Sequence, residues 1–405
     1  MAVGKDYFPE MHPVPGFKLG TTSAGVKTIG RSDLVVMEIA AGSSVAGVFT
    51  KNAFCAAPVQ LTKAHMEVAE SRFFVTNTGN ANAGTGEQGK ADAKTVCDKV
   101  AEISGVATEA VLPFSTGVIG ELLQVEKIIE ALPAAHAALS ESGWVDAATG
   151  ILTTDTRPKG ASVQLKLAGH TVTITGITKG SGMIKPNMAT MLSYVATDVV
   201  IKQALLEKLV SKAVDLSFNR ITVDGDTSTN DCSMLVATGT SGVEFCELSD
   251  AEQSFFETHL NQLFLSLAQQ IVQDGEGATK FVAVEVSGGM NTTESLAVAY
   301  TVAESPLVKT ALFASDPNWG RILAAIGRAG INDLDVDKVQ VYLDDILIAD
   351  KGSRAASYRE EDGQAVMDQD VLSIRIMLNR GDAVETVWTT DLSHDYVKIN
   401  AEYRT

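Results

Sequence analysis

Short runs of hydrophobic residues that alternate with polar ones predict β-strands in the first half of the chain. Residues 34–40 and 44–50 flank an Ala-Gly-Ser turn and predict a paired hairpin. Residues 163–176 alternate on both sides of Ala168-Gly169 and predict a second hairpin, and the apolar run 72–77 predicts a short buried strand. Apolar residues at helical spacing predict helices over 59–69, 89–103 and 120–139.

The second half repeats this mixture of strands and helices. Apolar runs predict strands over 191–196, 233–238, 281–286, 340–343, 372–377 and 383–389. Amphipathic spacing predicts helices over 202–219 and 250–272. Several strand pairs have connections too short for a parallel crossover, so the pattern predicts a layered α/β protein with much antiparallel pairing. A chain of 405 residues exceeds the usual size of a single core and predicts two lobes.

Composition narrows the classes of partner. The formal net charge of −18 argues against nucleic acid and against an anionic membrane, because both require a cationic surface. No apolar run is long enough to span a bilayer, and the N-terminus has no signal-peptide pattern. The four cysteines are scattered without a CxxC pair, which favours reduced thiols and no zinc site. We therefore expect a cytoplasmic protein without a metal ion or a bound cofactor.

Residues 84–90 match the G-x-x-x-x-G-K pattern of a phosphate-binding loop. The next position, which should supply a hydroxyl group to magnesium, is Ala91. A nucleotide-binding module is therefore an alternative hypothesis, and a glycine-rich loop near a pocket is the preferred interpretation.

Residues 224–231 place side-chain oxygens at alternate positions, as the start of a calcium loop does. The sixth position of such a loop should be glycine and the twelfth glutamate, whereas this chain has Thr229 and Leu235. We therefore predict a polar turn closed by side-chain to backbone hydrogen bonds.

Residues 179–192, Lys-Gly-Ser-Gly-Met-Ile-Lys-Pro-Asn-Met-Ala-Thr-Met-Leu, carry the most informative pattern. Thr190 follows the small residue Ala189 and precedes an apolar run. It is either a buried strand residue, which the spacing by itself favours, or a nucleophile created by cutting the peptide bond before it. An N-terminal threonine can use its own α-amino group as the base, and the six histidines show no catalytic pattern. A glycine amide in residues 113–120, which include Thr116 and Gly117, is a candidate oxyanion donor, and a helix entry is the alternative interpretation.

Six segments in the same order resemble the glutamate N-acetyltransferase/ornithine acetyltransferase family of arginine biosynthesis. The resemblance covers essentially the full length, and the segment ending in Ala-Thr-Met-Leu is highly specific. The matching segments are 115–120, 153–158, 179–192, 222–231, 315–321 and 400–405.

The resemblance implies a precursor that cuts itself between Ala189 and Thr190 into an α chain, 1–189, and a β chain, 190–405. The two chains would share one layered α/β/β/α sandwich, similar to the N-terminal-nucleophile hydrolases but differently connected, and would assemble as α2β2. Thr190 would take the acetyl group of N-acetylornithine and pass it to glutamate, with Thr116 and Gly117 stabilising the oxyanion. The implied substrate-binding residues are Thr153, Lys179, Thr190, Glu276, Asn400 and Thr405.

Two questions stay open at this stage. Some family members also accept acetyl-CoA as acetyl donor, and family frequency favours that bifunctional form here. A self-processed aminopeptidase or amidase is the alternative enzyme class, in which water would take the acyl group in place of glutamate.

Overall fold

A computed structural model describes residues 2–4, 7–185 and 191–402 of the chain. Two β-sheets pack face to face in its larger lobe. In spatial order, the first sheet contains β1 (Phe17–Thr22), β2 (Leu34–Ile39), β4 (Phe73–Asn80) and β5 (Val111–Val118). The second contains β3 (Ser44–Phe49), β9 (Cys232–Ala237), β8 (Leu192–Thr197), β7 (His170–Lys179) and β6 (Lys159–Leu167). Both sheets mix parallel and antiparallel pairs, so the prediction of much antiparallel pairing is confirmed.

Large apolar side chains from the facing sides of the two sheets form one core. Phe74 and Phe114 of the first sheet surround Tyr194 of the second, and the rings of Phe114 and Tyr194 meet edge to face at 5.3 Å. The hydroxyl groups of Thr76 and Tyr194 are hydrogen-bonded to each other at 2.8 Å inside this core. This bond joins the two sheets and satisfies two polar groups that would otherwise be buried without partners.

Helices cover the outer face of each sheet. The first sheet is covered by α2 (Gly86–Ser104) and α3 (Val125–Ala137), and the second by α5 (Gln203–Asp215) and α6 (Asp250–Gln273). Helix α6 begins with a capping box formed by Ser249 and Glu252. The predicted α/β/β/α sandwich is therefore confirmed.

Two shorter helices close the sides of the sandwich. Helix α1 (Ala57–Val68) lies against β5 through a hydrogen bond from the Thr62 hydroxyl to the Pro113 carbonyl. Helix α4 (Trp144–Gly150) inserts its fully buried Trp144 ring beside Phe17.

A third sheet of six strands packs around a hydrophobic core of its own and forms the smaller lobe. Its spatial order is β13 (Ser353–Arg354), β12 (Ile346–Asp350), β11 (Gln340–Leu343), β14 (Val371–Met377), β10 (Phe281–Gly289) and β15 (Ala383–Thr390). The helices of this lobe are α7 (Thr292–Ala303), α8 (Pro306–Phe313), α9 (Trp319–Gly327) and α10 (Glu360–Met367). Helix α11 (His394–Ala401) then returns to the larger lobe. None of the helices in the described ranges combines the length and apolar character needed to span a bilayer.

The predicted hairpin of residues 34–40 and 44–50 is wrong, although both strands exist. Strand β2 pairs with β1 and β4, whereas β3 pairs with β9 in the other sheet. The turn between them carries the chain from one sheet to the other, because both strands have apolar faces that need the inter-sheet core. The hairpin around Ala168-Gly169 is confirmed, with Leu167 opposite His170.

The second sheet mixes strands from both sides of the predicted cleavage point. Strands β3, β6 and β7 precede residue 189, and β8 and β9 follow residue 190. The backbone pairs β7–β8 and β3–β9 therefore join the two parts of the chain.

We expect Tyr194→Phe to lower the free energy of unfolding by about 1–3 kcal/mol, because it leaves the Thr76 hydroxyl buried and unpaired. The double variant Thr76→Val/Tyr194→Phe removes both polar groups and should lose less stability than the single change. Urea unfolding checks both values, with Tyr7→Phe at an exposed tyrosine as the matched control. Equal stability of Tyr194→Phe and wild type would contradict this account.

Candidate active site

Six of the predicted site residues line a single cavity of about 240 Å³. They come from both sheets of the sandwich, from the loop before β6, from the segment after α6 and from α11. These residues are Thr116, Gly117, Thr153, Lys179, Glu276 and Asn400. The other predicted residues, Ala189, Thr190 and Thr405, lie outside the described residues.

Thr116 and Gly117 stand near the end of β5, where its pairing with β4 becomes irregular. Gly117 has a φ of +137°, and a Cβ atom there would lie 2.3 Å from the carbonyl carbon of Gly79. Only glycine fits so close to the neighbouring strand. The irregular register and the missing side chain leave a hydroxyl group and a glycine backbone together at the cavity wall, the donor types found in oxyanion holes.

Lys179 ends β7 and reaches across to the other sheet. Its Nζ donates a hydrogen bond of 2.5 Å to Oγ1 of Thr116. Burial lowers the pKa of Lys179, while the carboxylate of Asp155 opposes this shift. Because the Thr116 oxygen accepts from Lys179, its own hydroxyl hydrogen is available to another acceptor in the cavity.

A buried ion cluster lies behind Lys179. The Nζ of Lys159 is 2.6 Å from a carboxylate oxygen of Asp155 and 2.6 Å from one of Asp274. The side chains of Lys159 and Asp155 have no exposure to solvent. Burial by itself raises the pKa of the Asp155 carboxyl, but Lys159 and Lys179 outweigh that effect and hold its pKa below the usual range. Asp155 is therefore ionised at neutral pH.

Asp155 also organises the backbone around the cavity. One carboxylate oxygen accepts the amide of Gly180 at 2.7 Å, and the other accepts the amide of Thr153 at 3.0 Å. The residue thus ties the end of β7 to the loop that leads into β6, and both segments contribute cavity residues. Its charge fixes their relative position.

Glu276 provides the cavity with a carboxyl group. Its Oε2 accepts a 2.8 Å hydrogen bond from Nδ2 of Asn400. A Cβ atom at Gly182 would lie 2.3 Å from this carboxyl group, so the glycine makes room for it. Burial raises the pKa of Glu276, and hydrogen bonds from Thr154 and Asn400 offset part of the rise. The carboxyl group and Lys179 give the small cavity one potential anion and one potential cation.

The chain segments on either side of residues 186–190 are held firmly. Asp224 accepts the amides of Met183 at 2.6 Å and Ile184 at 2.9 Å. On the other side, the carbonyl of Met191 accepts the amide of Cys232 at 2.9 Å. Within residues 224–231, Oδ1 of Asp224 accepts the amide of Asp226 at 3.2 Å and Oγ of Ser228 accepts the amide of Asn230 at 3.2 Å, so the predicted polar turn is confirmed. This turn also supports the segment that ends at residue 185. In the described part of the chain, no three His, Cys, Asp or Glu side chains are grouped to hold a metal ion.

Sequence reasoning missed three polar residues in the wall, namely Thr154, Ser228 and Asn230. The Nδ2 of Asn230 donates to the carbonyls of Ala81 and Ser115, at 2.5 and 2.9 Å, and so links the second sheet to the first. All three residues lie inside segments that carry the family resemblance, which is the signal that could have found them.

The phosphate-loop pattern of residues 84–90 has another role. Helix α2 begins at Gly86, so Gly89 and Lys90 already lie inside the helix. The Nζ of Lys90 forms an exposed ion pair with Glu87 at 2.7 Å. A Cβ atom at Gly89 would collide with the side chains of Thr85 and Asn82, so this glycine is required by packing.

The cavity is small and lies inside an α/β/β/α sandwich. It contains a lysine, a carboxyl group and the donor pair of Thr116 and Gly117. This combination is typical of an enzyme that acts on a small polar molecule. The sequence profile of the ArgJ family matches residues 18–405. The chain belongs to the ArgJ family, which confirms the resemblance found in the sequence, and it is an acyltransferase acting on small-molecule substrates.

Two sequence relatives agree with this membership. The arginine biosynthesis bifunctional protein ArgJ of Pseudomonas syringae pv. tomato is 60% identical over 408 aligned positions, covering 100% of both chains. The protein of the same name from Psychrobacter arcticus is 54% identical over 407 positions, again with 100% coverage of both. The crystal structure of the arginine biosynthesis bifunctional protein ArgJ from Bacillus halodurans is 38% identical, with a TM-score of 0.49, covering 52% of this chain and 99% of that one.

We expect Lys159→Met to lower the free energy of unfolding by about 3–5 kcal/mol at neutral pH, because two buried carboxylates lose their shared cation. The lowered pKa of Asp155 means that its ionisation stabilises the fold above its unfolded pKa of about 3.9, and that this contribution is lost as the pH falls. The difference between variant and wild type should therefore shrink in acid.

Urea unfolding over a pH series measures this difference. Lys166→Met on the same strand is the matched control, because Lys166 is exposed and should tolerate the change with little loss. A difference that grows as the pH falls would refute the proposed charge state of Asp155.

Proposed function

We propose that this protein transfers the acetyl group of N-acetylornithine to glutamate through an acetyl-threonine intermediate on Thr190. The observation that carries the proposal is the convergence of Thr116, Gly117, Lys179 and Glu276 on one cavity, which Met183 also lines. Both substrates are small amino acids with a carboxylate and an amine. The names of the relatives, which include arginine biosynthesis, support this choice of substrates.

The chemistry starts with the formation of the nucleophile. The Thr190 hydroxyl attacks the carbonyl carbon of Ala189, and the Ala189–Thr190 peptide bond is replaced by an ester that water hydrolyses. The chain then consists of residues 1–189 and 190–405, and Thr190 carries a free α-amino group. This amine is a base of ordinary pKa near 7.7–8.0, suited to take the proton of the neighbouring hydroxyl.

The acetyl group then moves in two half-reactions. The Thr190 hydroxyl attacks the acetyl carbon of N-acetylornithine, and the oxyanion is stabilised by Thr116 and Gly117. Ornithine leaves after taking a proton, and the amine of glutamate attacks the acetyl-threonine ester to give N-acetylglutamate. Each oxyanion-hole donor of this kind contributes about 3 kcal/mol to the stability of the transition state.

The charged groups assign the ends of the substrate. Lys179 suits the α-carboxylate that ornithine and glutamate share. Glu276 suits an ammonium group of the substrate, and that ammonium group would keep the Glu276 carboxylate ionised despite its burial. Thr153 and Asn400 complete the wall, and Thr405 stays a prediction from the resemblance. The cycle needs no metal ion or bound cofactor. The cytoplasmic location and the α2β2 assembly also stay predictions.

We also propose that acetyl-CoA acts as a second acetyl donor. A neighbouring cavity of about 380 Å³ shares Gly117, Val118, Thr153 and Thr154 with the active-site cavity. It offers additional volume next to the predicted oxyanion site for the leaving group of a larger donor. The word bifunctional in the names of the relatives supports this proposal.

Thr190→Ala should remain a single chain and should transfer no acetyl group, because both steps need the hydroxyl group. Thr190→Ser retains a hydroxyl group and should still be cleaved. Denaturing gels and N-terminal sequencing of the second fragment measure cleavage, and Thr171→Ala at an exposed position of β7 is the control. Full activity of an intact wild-type chain would exclude this mechanism.

The molecule that receives the acetyl group distinguishes the transferase from the alternative hydrolase. With N-acetylornithine alone, the fragment beginning at Thr190 should gain the mass of one acetyl group, and glutamate should remove it as N-acetylglutamate. Intact-mass spectrometry and chromatography measure both species. Rapid release of acetate that glutamate does not divert would favour the aminopeptidase or amidase.

A separate assay tests acetyl-CoA as the second donor. N-acetylglutamate should form from acetyl-CoA and glutamate without N-acetylornithine, and its absence would contradict the proposal.

A further inference from the structure

The active-site cavity offers a positive partner to only one of the two carboxylates of glutamate. Among the described residues that line this cavity, Lys179 is the single cation and Glu276 the single anion. Lys179 suits the α-carboxylate. The side-chain carboxylate of glutamate would meet Glu276 here, whereas the side-chain ammonium group of ornithine would meet a matching anion. The two side chains therefore need different surroundings.

The neighbouring cavity of about 380 Å³ is lined by two further cations, Lys27 and Arg31. It shares Gly117 and Thr153 with the active-site cavity, so the two cavities lie side by side at the predicted oxyanion site. The glutamate side chain has only two methylene groups before its carboxylate. A subsite for that carboxylate must therefore adjoin the reaction centre, and cavities that share wall residues meet this requirement.

Lys27 lies against the strand pair that carries the predicted oxyanion donors. Gly79 at the end of β4 pairs with Gly117 of β5 and has a φ of +92°. A Cβ atom at Gly79 would lie 2.9 Å from Cβ of Lys27, so the missing side chain allows the loop that bears Lys27 to approach β4. The side chain of Lys27 therefore starts beside the oxyanion site.

The guanidinium group of Arg31 lies on the loop before β6. It donates hydrogen bonds to the carbonyl of Leu152 at 2.6 Å and to that of Thr153 at 3.3 Å. A guanidinium group has five N–H donors, so these two bonds leave donors for a carboxylate. Because Thr153 lines both cavities, Arg31 brings its charge to the boundary between them.

The loop that bears the two cations is fixed by a buried carboxylate. Asp33 is 4% exposed, and its two oxygens accept the amides of Ala24 at 2.6 Å and Val26 at 2.7 Å. Both oxygens of Asp33 thus bind the backbone just before Lys27. The other anion among the described residues that line this cavity is Glu402, which is exposed to solvent.

We propose that Lys27 and Arg31 bind the side-chain carboxylate of the acceptor glutamate. The assignment rests on the proposed function, since it needs glutamate as the acceptor. Glutamate then places its α-carboxylate on Lys179 and its side-chain carboxylate in the neighbouring cavity. In a ping-pong cycle the leaving group of the donor departs before the acceptor enters, so the same cavity can serve acetyl-CoA in one half-reaction and glutamate in the next.

Turnover of the acetylated enzyme by glutamate tests this assignment. The enzyme is acetylated with N-acetylornithine, freed of ornithine and mixed with glutamate at increasing concentrations, and loss of the acetyl group is followed by intact-mass spectrometry. In Lys27→Met and in Arg31→Gln, the glutamate concentration for half-maximal rate should rise at least about 10-fold, because a charged partner of the carboxylate is lost. The maximal rate should change little, since the contact is equal in the ground and transition states.

Lys94→Met is the matched control for these variants. Lys94 is exposed on α2 and pairs with Asp98, and its loss should leave the response to glutamate as in wild type. An unchanged half-maximal concentration in both Lys27→Met and Arg31→Gln would overturn the assignment.

Glutamine as the acceptor distinguishes recognition of a charge from a structural role of the loop. Glutamine has the shape of glutamate without the side-chain charge, so wild type should strongly prefer glutamate. The double variant Lys27→Met/Arg31→Gln should lose most of this preference while N-acetylornithine acetylates it at the wild-type rate. A distorted loop would impair both acceptors and keep their ratio, and a ratio equal to that of wild type would refute the proposal.

Two further results separate the alternatives. If the double variant raises the KM for acetyl-CoA and leaves the response to glutamate unchanged, the cations serve the phosphates of the donor and the assignment is wrong. If wild type gains no acetyl group from N-acetylornithine, the proposed function itself fails, and the assignment of Lys27 and Arg31 fails with it.

Discussion

The contact of the Lys159 ammonium group with two carboxylates is the interaction on which the cavity depends. Lys159 lies between Asp155 and Asp274 without access to water, a position that is tolerable only when opposite charges replace the lost hydration. Asp155 then holds the amides of Thr153 and Gly180. The cluster joins the loop before β6, the end of β7 and the segment after α6. Its charges therefore hold three parts of the cavity wall together.

Two carboxyl groups near Lys179, those of Asp155 and Asp231, have pKa values shifted in opposite directions. Asp155 forms a direct ion pair with Lys159 and has a lowered pKa, whereas Asp231, which forms no ion pair within the described residues, has a raised pKa because it is buried. Environments that move two neighbouring acids apart in pKa allow one site to hold a fixed anion and a proton donor at the same pH. In this protein Asp155 is the fixed anion, and it stabilises the cavity walls through the amides of Thr153 and Gly180.

The sequence predicted the helices and the hairpin whose pattern depends on residues close together in the chain. The long helices α5 and α6 and the hairpin of β6 and β7 show clear periodicity, and the structure contains all of them. The pairing of β2 with β3 was wrong, because the correct partners lie far away in the chain. The site residues were found through the family resemblance. Lys159 was missed, because its burial depends on Asp274, 115 residues away, and periodicity carries no information about such a partner.

The mixed order of strands in the second sheet has a consequence for the biogenesis of the enzyme. Strand β8 lies between β7 and β9, and β3 adds to β9, so neither part of the chain has a complete sheet before the other is present. We therefore expect the proposed cut between residues 189 and 190 to follow folding, when all five strands are in place. Cleavage would then act as a maturation checkpoint, since a misfolded precursor cannot gain a catalytic terminus.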